Sequence, residues 1–487
     1  MVSVAVALER LERLASSEPT ASLAAAFERA GFELALVGGP VRDAFLGRTT
    51  NDLDYATNAL PQDILKIVSP IAAATWDVGR AFGTIAATVH GETVEITTYR
   101  SDVYDGETRK PEVEFSDTLE ADLIRRDFTI NAMALRLPSV QLVDISGGVE
   151  DLLENRLNTP QVPQVSFRDD PLRMLRAARF VAQLGVEVSP AVEEAMRECA
   201  PSIANISAER VRDELSKLLC GDAPSPGLRL LTDTGLLSIV LPEIPALRLE
   251  RDEHAHHKDV YEHTLTVLDQ TIALEKSRHP DSPPDLIQRL AAIMHDVGKP
   301  PTKRIESGNV VSFHNHDIVG ARMTSKRLKA LRFDNDTVKQ VSRLVELHLR
   351  FYGYTDAQWS DSAVRRYVRD AGAQLERLHI LTRSDVTTRN RRKAQILDFA
   401  YDDLEERISV LAAAEELDAI RPDLDGAQIM KILDVPPGPV VGQAYKMLLE
   451  ARLDEGALGE EEATRRLKDW WSSRSNEHDA GPARPSK

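Results

Sequence analysis

Two cysteines, Cys199 and Cys220, are all the sulfhydryl that the 487-residue chain carries. They can build no disulfide framework and neither stands in a metal-ligand spacing, so a reducing cytoplasm is the expected setting. No apolar run approaches membrane-spanning length. Met1 to Leu14 lacks a basic leader and a cleavage site, and reads as an amphipathic helix rather than a signal peptide. Positive charge is also scarce: 60 Lys and Arg against 77 Asp and Glu leave a net charge of −17. That argues against binding polyanions over the whole surface, but leaves room for one basic face. The remainder, 42% apolar and 28% charged, is ordinary globular composition. The length suits roughly three domains.

The most informative stretch is Leu36 to Tyr55, LVGGPVRDAFLGRTTNDLDY. A short apolar run, Leu34 to Val37, ends in Gly38-Gly39, and Pro40 to Gly47 then reads as a helix. Asp52 and Asp54 follow on a predicted strand, two residues apart and therefore on one face. Like charges that close repel unless a cation lies between them, and Mg2+ takes hard oxygen ligands together with substrate phosphates. The Gly-Gly turn lets backbone approach a triphosphate, and Arg42 offers a forked donor to it.

Short β-like runs continue to about Asp144 (Thr84 to Val89, Thr93 to Thr98, Gln141 to Asp144) and suggest one small α/β domain with a mainly antiparallel sheet. Glu95 lies in the second of them. It reads equally as a solvent-facing edge residue or as a third metal carboxylate beside Asp52 and Asp54. The polar stretch Arg100 to Pro111 is too rich in turn formers to be an element. Arg125-Arg126-Asp127-Phe128-Thr129-Ile130-Asn131-Ala132 reads as a helix start, where Asp and Asn could simply cap.

From Asp151 the pattern turns helical and stays so. Ser22 and Ser207 are expected caps. Pro171 suits a first helical turn, and Arg173, Arg176 and Arg179 then recur every three residues along one face with no acid alternating. Ten of the 12 histidines lie between His254 and His379. His263, His295-Asp296, His316, His348 and Asp385 give the order H…HD…H…H…D, and imidazole with carboxylate suits a transition metal better than Mg2+.

These motifs, in this order, resemble the bacterial class II CCA-adding enzymes and poly(A) polymerases, which are polymerase-β-like nucleotidyltransferases, from about Leu34 to Trp471. The resemblance implies an α/β polymerase-β-like head (1–150) and an all-α remainder. That remainder would be a neck (151–250), an HD domain (251–395), a C-terminal tRNA-binding body (396–475) and a disordered tail (476–487). It implies that Asp52, Asp54 and Glu95 carry catalysis, the two aspartates holding Mg2+. Gly38, Gly39, Arg42, Arg125, Arg126, Asp127 and Asn131 would serve the phosphates and ribose of CTP or ATP. Asp170 and Arg173 would read the base, and Arg176 and Arg179 would serve the triphosphate or the RNA. Asp169 stands where the family usually has Glu. Asp144 to Leu152 resembles the family's turn into the neck, and Ile206 to Leu219 its end, where a packing role is expected. The intact Arg100–Pro111 loop favours complete CCA addition over CC addition alone.

The histidine block resembles an HD-superfamily phosphohydrolase domain. Some HD domains fused to nucleotidyltransferases keep their ligands for structure alone, so its expected chemistry on RNA ends stays open. Arg389, Arg391, Arg392 and Lys393 form a basic cluster, read either as an RNA-backbone contact or as an exposed helix end. The expected activity is untemplated addition of C, C and A to tRNA. The alternatives are a poly(A) polymerase or A-adding enzyme, and an HD hydrolase acting on RNA ends.

Overall fold

The computed structural model describes every residue except 1, 51, 80–82, 103–112, 117, 250–258, 307–310, 352–353, 355–358, 388–389, 416–420 and 480–487. It divides into two compact units, Met1–Pro245 and Ala246–Lys487.

The first unit is built on a seven-stranded mixed sheet in the order β3-β4-β5-β2-β1-β6-β7. The strands are β1 (Leu34–Val37), β2 (Leu53–Thr57), β3 (Ala72–Gly79), β4 (Thr84–Val89), β5 (Glu92–Thr98), β6 (Met133–Leu137) and β7 (Gln141–Asp144). Only β2 and β5 run parallel; the other neighbours are antiparallel. All four residues of β1 are buried, as its unbroken apolar run requires of a central strand. Each such Leu or Val side chain contributes roughly 1.5–3 kcal/mol by leaving water. Strands β3 and β6, rich in Ala, Leu and Met, carry no strand-like sequence signal, and pairing within the sheet overrides their propensity.

Gly38 ends β1 at φ +72°, a conformation that a side chain disfavours, and helix α1 (Gly39–Leu46) starts there with Pro40 in its first turn. Helix α2 (Leu119–Ile124) precedes β6, and the neck follows as α3 (Pro163–Asp169), α4 (Leu172–Leu184) and α5 (Ala208–Leu219). Helices α2 and α5 begin at the side-chain caps Thr118 and Ser207.

Several expectations are corrected here. Ser22 does not cap its helix, which starts at Thr20; its hydroxyl meets His90 Nε2 at 3.1 Å instead. Asp52 precedes β2 rather than lying on it. Arg125 to Ala132 is not a helix start: Arg125 closes α2, and Thr129–Asn131 forms one 3-10 turn. Arg100–Asp102 is a short strand paired antiparallel with Val113–Phe115, while 103–112 lies outside the described residues.

In the second unit, α6 (Val260–Arg278), α7 (Leu286–Met294), α8 (His316–Ala330), α9 (Asn335–Leu347) and α10 (Leu375–Ser384) carry the histidine block. The C-terminal helices Gly426–Leu433, Pro439–Glu455 and Glu460–Asp479 enclose their own apolar cluster, against which Trp470 and Trp471 pack. The last helix continues through 476–479, where a disordered tail was expected. Among the described residues no helix is long and apolar enough to cross a membrane.

Candidate functional site

The sheet register sets the first constellation. Asp54 on β2 is the direct cross-strand partner of Glu95 on β5, so both leave the same face of the parallel pair. Burial raises the Asp54 carboxyl above its ordinary range, and the charges of Glu95 and Asp52 raise it further, while Arg126 opposes them. Three carboxylates thus act on one point. Such a donor set, hard and anionic, fits a divalent cation such as Mg2+. Arg126 reaches this region over Gly38, whose missing Cβ would lie 3.2 Å from Arg126 Nη1.

Behind the carboxylates runs a chain of polar contacts. Arg42 donates to Asn131 Oδ1 at 2.7 Å, and Asn131 donates to Asp127 Oδ1 at 3.1 Å. The Phe128 amide also donates to Asp127, at 2.8 Å, and Arg176 Nε donates to its other oxygen at 2.8 Å. Burial works against the Asp127 charge, but Arg176, Asn131 and the Phe128 amide together hold it down at about 2. Phe128 and Phe180 meet edge to face at 5.7 Å, and the Arg42 guanidinium lies 5.6 Å from the centre of the Phe180 ring. Four of the residues expected to meet nucleotide therefore bond to one another and are oriented before any ligand arrives.

Asp170 sits in extended backbone at the break between α3 and α4, with 31% of its side chain exposed. One carboxylate oxygen accepts from the Leu172 amide at 3.1 Å and the other from Arg210 at 2.9 Å. Arg173, one turn on, donates to Ser166 Oγ at 2.8 Å and to the Arg125 carbonyl at 2.6 Å. That last bond ties α4 to the end of α2. Arg179 lies deeper than its neighbours in the stripe. It is 8% exposed, paired with buried Glu214 at 3.1 Å and stacked on Phe180 at 4.6 Å, so its guanidinium is engaged within the protein.

Three residues of this region escaped the sequence reading. Buried Asp122 takes Arg126 at 3.2 and 3.0 Å and lies 3.7 Å from Arg125. Its signal was the three- and four-residue spacing to the arginine pair. Arg210 and Glu214 come from α5, for which only packing was expected. That helix in fact supplies partners to Asp170, Arg176 and Arg179. The acids that the arginine stripe lacked in sequence thus come from other elements.

In the second unit the six expected ligands converge. His263, His295 and Asp385 form one group, and Asp296, His316 and His348 another, with the ligand atoms within 4.8 Å in each. Asp296 links them, with Oδ2 3.2 Å from His295 Nε2 and Oδ1 3.4 Å from His316 Nε2. His263 Nε2 lies 3.0 Å from Asp385. The Nδ1 atoms of His295, His316 and His348 lie 2.7, 2.8 and 2.6 Å from the carbonyls of Ala292, Phe313 and Val345, which fixes the rings. The Nε2 atoms of the same three rings are buried and have no hydrogen-bond partner. Buried, oriented and unsatisfied imidazole nitrogens beside carboxylates fit one or two transition-metal ions. Without a metal, burial disfavours charge on His295, but Asp296 and Asp385 carry it up to about 10; burial, reinforced by charges on His295 and His316, drops His348 to about 4.

Gly298 allows this convergence. A Cβ there would lie 2.0 Å from the His316 carbonyl and 2.6 Å from the Gly320 amide, so only glycine lets α8 come this close to the His295-Asp296 turn. Of the basic cluster, Arg391, Arg392 and Lys393 are exposed at the start of a long helix, and Arg389 lies outside the described residues.

Comparison with known proteins gives a consistent picture. The family description "Poly A polymerase head domain" matches residues 34–158, "Probable RNA and SrmB- binding site of polymerase A" matches 185–247, and "HD domain" matches 260–390. An A-adding tRNA nucleotidyltransferase of Deinococcus radiodurans is 38% identical over 439 residues, covering 88% of this chain and 92% of its own length. A CCA-adding enzyme of Streptococcus suis is 32% identical over 436 residues, covering 89% of this chain and 91% of its own length. Among solved structures, the CCA-adding enzyme of Bacillus stearothermophilus in complex with CTP superposes with a TM-score of 0.66 at 25% identity, covering 94% of this chain and 98% of that one.

Proposed function

The chain belongs to the family of tRNA nucleotidyltransferases that includes the A-adding and CCA-adding enzymes, and from that membership we propose that it adds C, C and A to the 3′ end of tRNA from CTP and ATP, without a nucleic-acid template. The observation that carries this reading is the register that sets Glu95 beside Asp54, with Asp52 and Arg126 acting on the same point. Asp52 and Asp54 would hold Mg2+, with Glu95 completing the carboxylate set. When bound, the metal supplies charge neutralisation at the phosphates and acidifies the attacking 3′-hydroxyl.

The chain's own side chains do the positioning. Gly38 and Gly39 admit the triphosphate close to backbone, and Arg126, Arg125 and Arg42 face its phosphates and ribose. Asn131 and Asp127 hold Arg42 and Arg176 in place. Asp170 offers an acceptor and Arg173 a donor to the Watson–Crick edge of the incoming base, with Arg210 and Ser166 fixing their directions. Such pre-set donors cost no reorganisation when charge develops.

Addition of A alone is the competing reading, and the 38% identity to the Deinococcus enzyme is what favours it. Three tRNA transcripts, ending before CCA, after C and after CC, separate the two when incubated with labelled CTP and ATP in Mg2+. Extension of all three to CCA and no further supports the proposal. Incorporation of A into the third transcript only identifies an A-adding enzyme, and open-ended tails identify a poly(A) polymerase.

The histidine cluster supports a second activity, metal-dependent hydrolysis of phosphomonoesters or cyclic phosphodiesters at RNA ends. His263, His295, His316, His348, Asp296 and Asp385 would hold the transition metal. Release of phosphate from 3′-phosphorylated or cyclic-ended RNA, lost in His295→Ala, tests it. The two unbridged cysteines are consistent with a cytoplasmic site of action.

A further inference from the structure

The long helix α11 (Arg391–Glu415) follows the ligand Asp385 in the second unit. Its first three residues, Arg391, Arg392 and Lys393, are exposed, and no acid stands in its first turn. The positive end of the helix dipole disfavours cations there. None of the three makes an ion pair among the described residues. Arginines elsewhere on this surface do find such partners, as Arg197 does in Glu193 and Glu194 and Arg466 in Glu455 and Glu462. Cations gathered against the dipole and left without an acid call for an anion from outside.

The same helix start carries an exposed apolar line. Arg392, Ile396 and Phe399, four and then three residues apart, share one face, while Tyr401, Leu404 and Ile408 on the opposite face are buried. Ile396 is 56% exposed and Phe399 74%. The acids of the next turn are engaged elsewhere: Asp402 accepts from Arg383 at 2.8 Å, and Asp403 accepts from the Tyr354 hydroxyl. Asp398 lies off the line by helix geometry. One exposed hydrophobe is ordinary. An exposed aromatic ring in line with unpaired cations is the arrangement that holds single-stranded nucleic acid, the cations on its phosphates and the ring under a base. A duplex keeps its bases stacked and offers none to such a ring.

This surface is tied to the histidine cluster by the chain itself. Thr387 Oγ1 lies 2.9 Å from Nδ1 of the ligand His263, and Arg391 follows four residues later, a stretch of at most about 14 Å. Phe399 stands about 12 Å further along the helix. Helix α8, which begins at the ligand His316, leads off in the same manner. Its Arg322, Lys326 and Lys329, four and then three residues apart, are exposed and make no ion pair among the described residues. In a chain of net charge −17, two segments that start at metal ligands thus run out into unmatched positive charge. A free nucleotide has no use for tracks of this length; a strand of several nucleotides does.

We propose that the start of α11 is the strand-holding surface of the histidine cluster, where Arg391, Arg392 and Lys393 take the phosphates of a single-stranded RNA end and Phe399 stacks one of its bases. The proposal rests on the reading that this cluster hydrolyses phosphate at RNA ends. Hydrolysis by the metal-loaded full chain is compared on a single-stranded 3′-phosphorylated RNA of about ten nucleotides and on p-nitrophenyl phosphate. Phe399→Ala should raise KM for the RNA about tenfold, with kcat and p-nitrophenyl phosphate hydrolysis within twofold of wild type, and Phe399→Trp should restore it. Phe399 is exposed, so both variants should keep the wild-type melting temperature. Replacing Arg391, Arg392 and Lys393 together by Gln should flatten the slope of log affinity against log salt by about 2. A KM for RNA unchanged in Phe399→Ala, or a salt slope unchanged in the triple variant, overturns the proposal. So does a monomer–dimer equilibrium abolished by Phe399→Ala, which would make this face a contact between two copies of the chain. If the wild type hydrolyses neither substrate, the reading of the cluster fails, and fluorescence anisotropy of the same RNA decides the surface by itself. Binding about tenfold weaker in Phe399→Ala keeps the surface as an RNA site, and equal binding removes it.

Discussion

Asp54 sits where burial and two neighbouring carboxylates all oppose its charge. A purely structural site would not keep such an arrangement without a cation, so its removal should be felt in chemistry and hardly in folding. Asp54→Ala is expected to lower nucleotide incorporation on the order of 10³-fold or more, with an unchanged or slightly higher melting temperature. A large loss of stability instead would make the carboxylate a folding element. Asp127 makes the opposite case. Held at about 2 rather than 3.8, it contributes roughly 2–3 kcal/mol when ionised. A depressed carboxylate gives that stability above its unfolded pKa and loses it as pH falls through the folded one. Urea titrations of wild type and Asp127→Asn should therefore differ by a constant gap above about pH 5, closing between about pH 4 and 2. A gap that persists at pH 2 would place the effect in packing rather than charge. At this scale the sequence was legible where spacing carries the chemistry: Asp52 and Asp54, the RRDFTIN string, and the HD pair. It was not legible where a partner comes from far along the chain, since nothing local to Arg179 announces Glu214, nor to Asp170, Arg210.

At the scale of elements, α5 reads as an amphipathic packing helix because its apolar face is all that periodicity reports. Its polar face is what aligns α4. Arg210 touches Asp170 across 40 positions of sequence and is a positioning residue in the proposed base-reading pair. Arg210→Ala should leave the fold intact and reduce discrimination between CTP and ATP roughly tenfold, seen as a changed ratio of kcat/KM for the two nucleotides. A uniform loss for both would make it a general structural support. The HD turn gives a second element-scale prediction. Gly298→Ala forces a Cβ onto the His316 carbonyl, so α8 must move away from Asp296. Tightly bound transition metal, measured by elemental analysis after gel filtration, should fall well below the wild-type content, and the second unit should lose about 2–3 kcal/mol. Full metal content in that variant would show that the turn can yield without moving α8. Strand content was harder to read than these turns. Met133–Leu137 joins the sheet through long-range pairing with β1 that no local pattern encodes, while Ala72–Gly79 enters it only as the edge partner of the next strand, β4.

Over the whole molecule the two constellations differ in kind, and that difference makes them separable by experiment. The first unit offers carboxylates alone at its metal point, which suits Mg2+; the second offers four imidazoles and two carboxylates, which suits a softer ion. Chelation by 1,10-phenanthroline, which prefers transition metals, should therefore abolish hydrolysis of cyclic or 3′-phosphorylated RNA and spare tRNA nucleotide addition in Mg2+. It should also expose the unpartnered Nε2 atoms of His295, His316 and His348 as a cost, because a metal that binds only the folded state stabilises it by about 3–4 kcal/mol at 100–1,000 times its Kd. For a unit of this size that corresponds to roughly 5–10 °C in melting temperature. Only one of the two unfolding transitions in calorimetry should shift, the one belonging to Ala246–Lys487. Loss of nucleotide addition under phenanthroline would mean that the chemistry of the first unit depends on the metal of the second. An unmoved transition would mean that the imidazole cluster holds its geometry by protonation and hydrogen bonds alone.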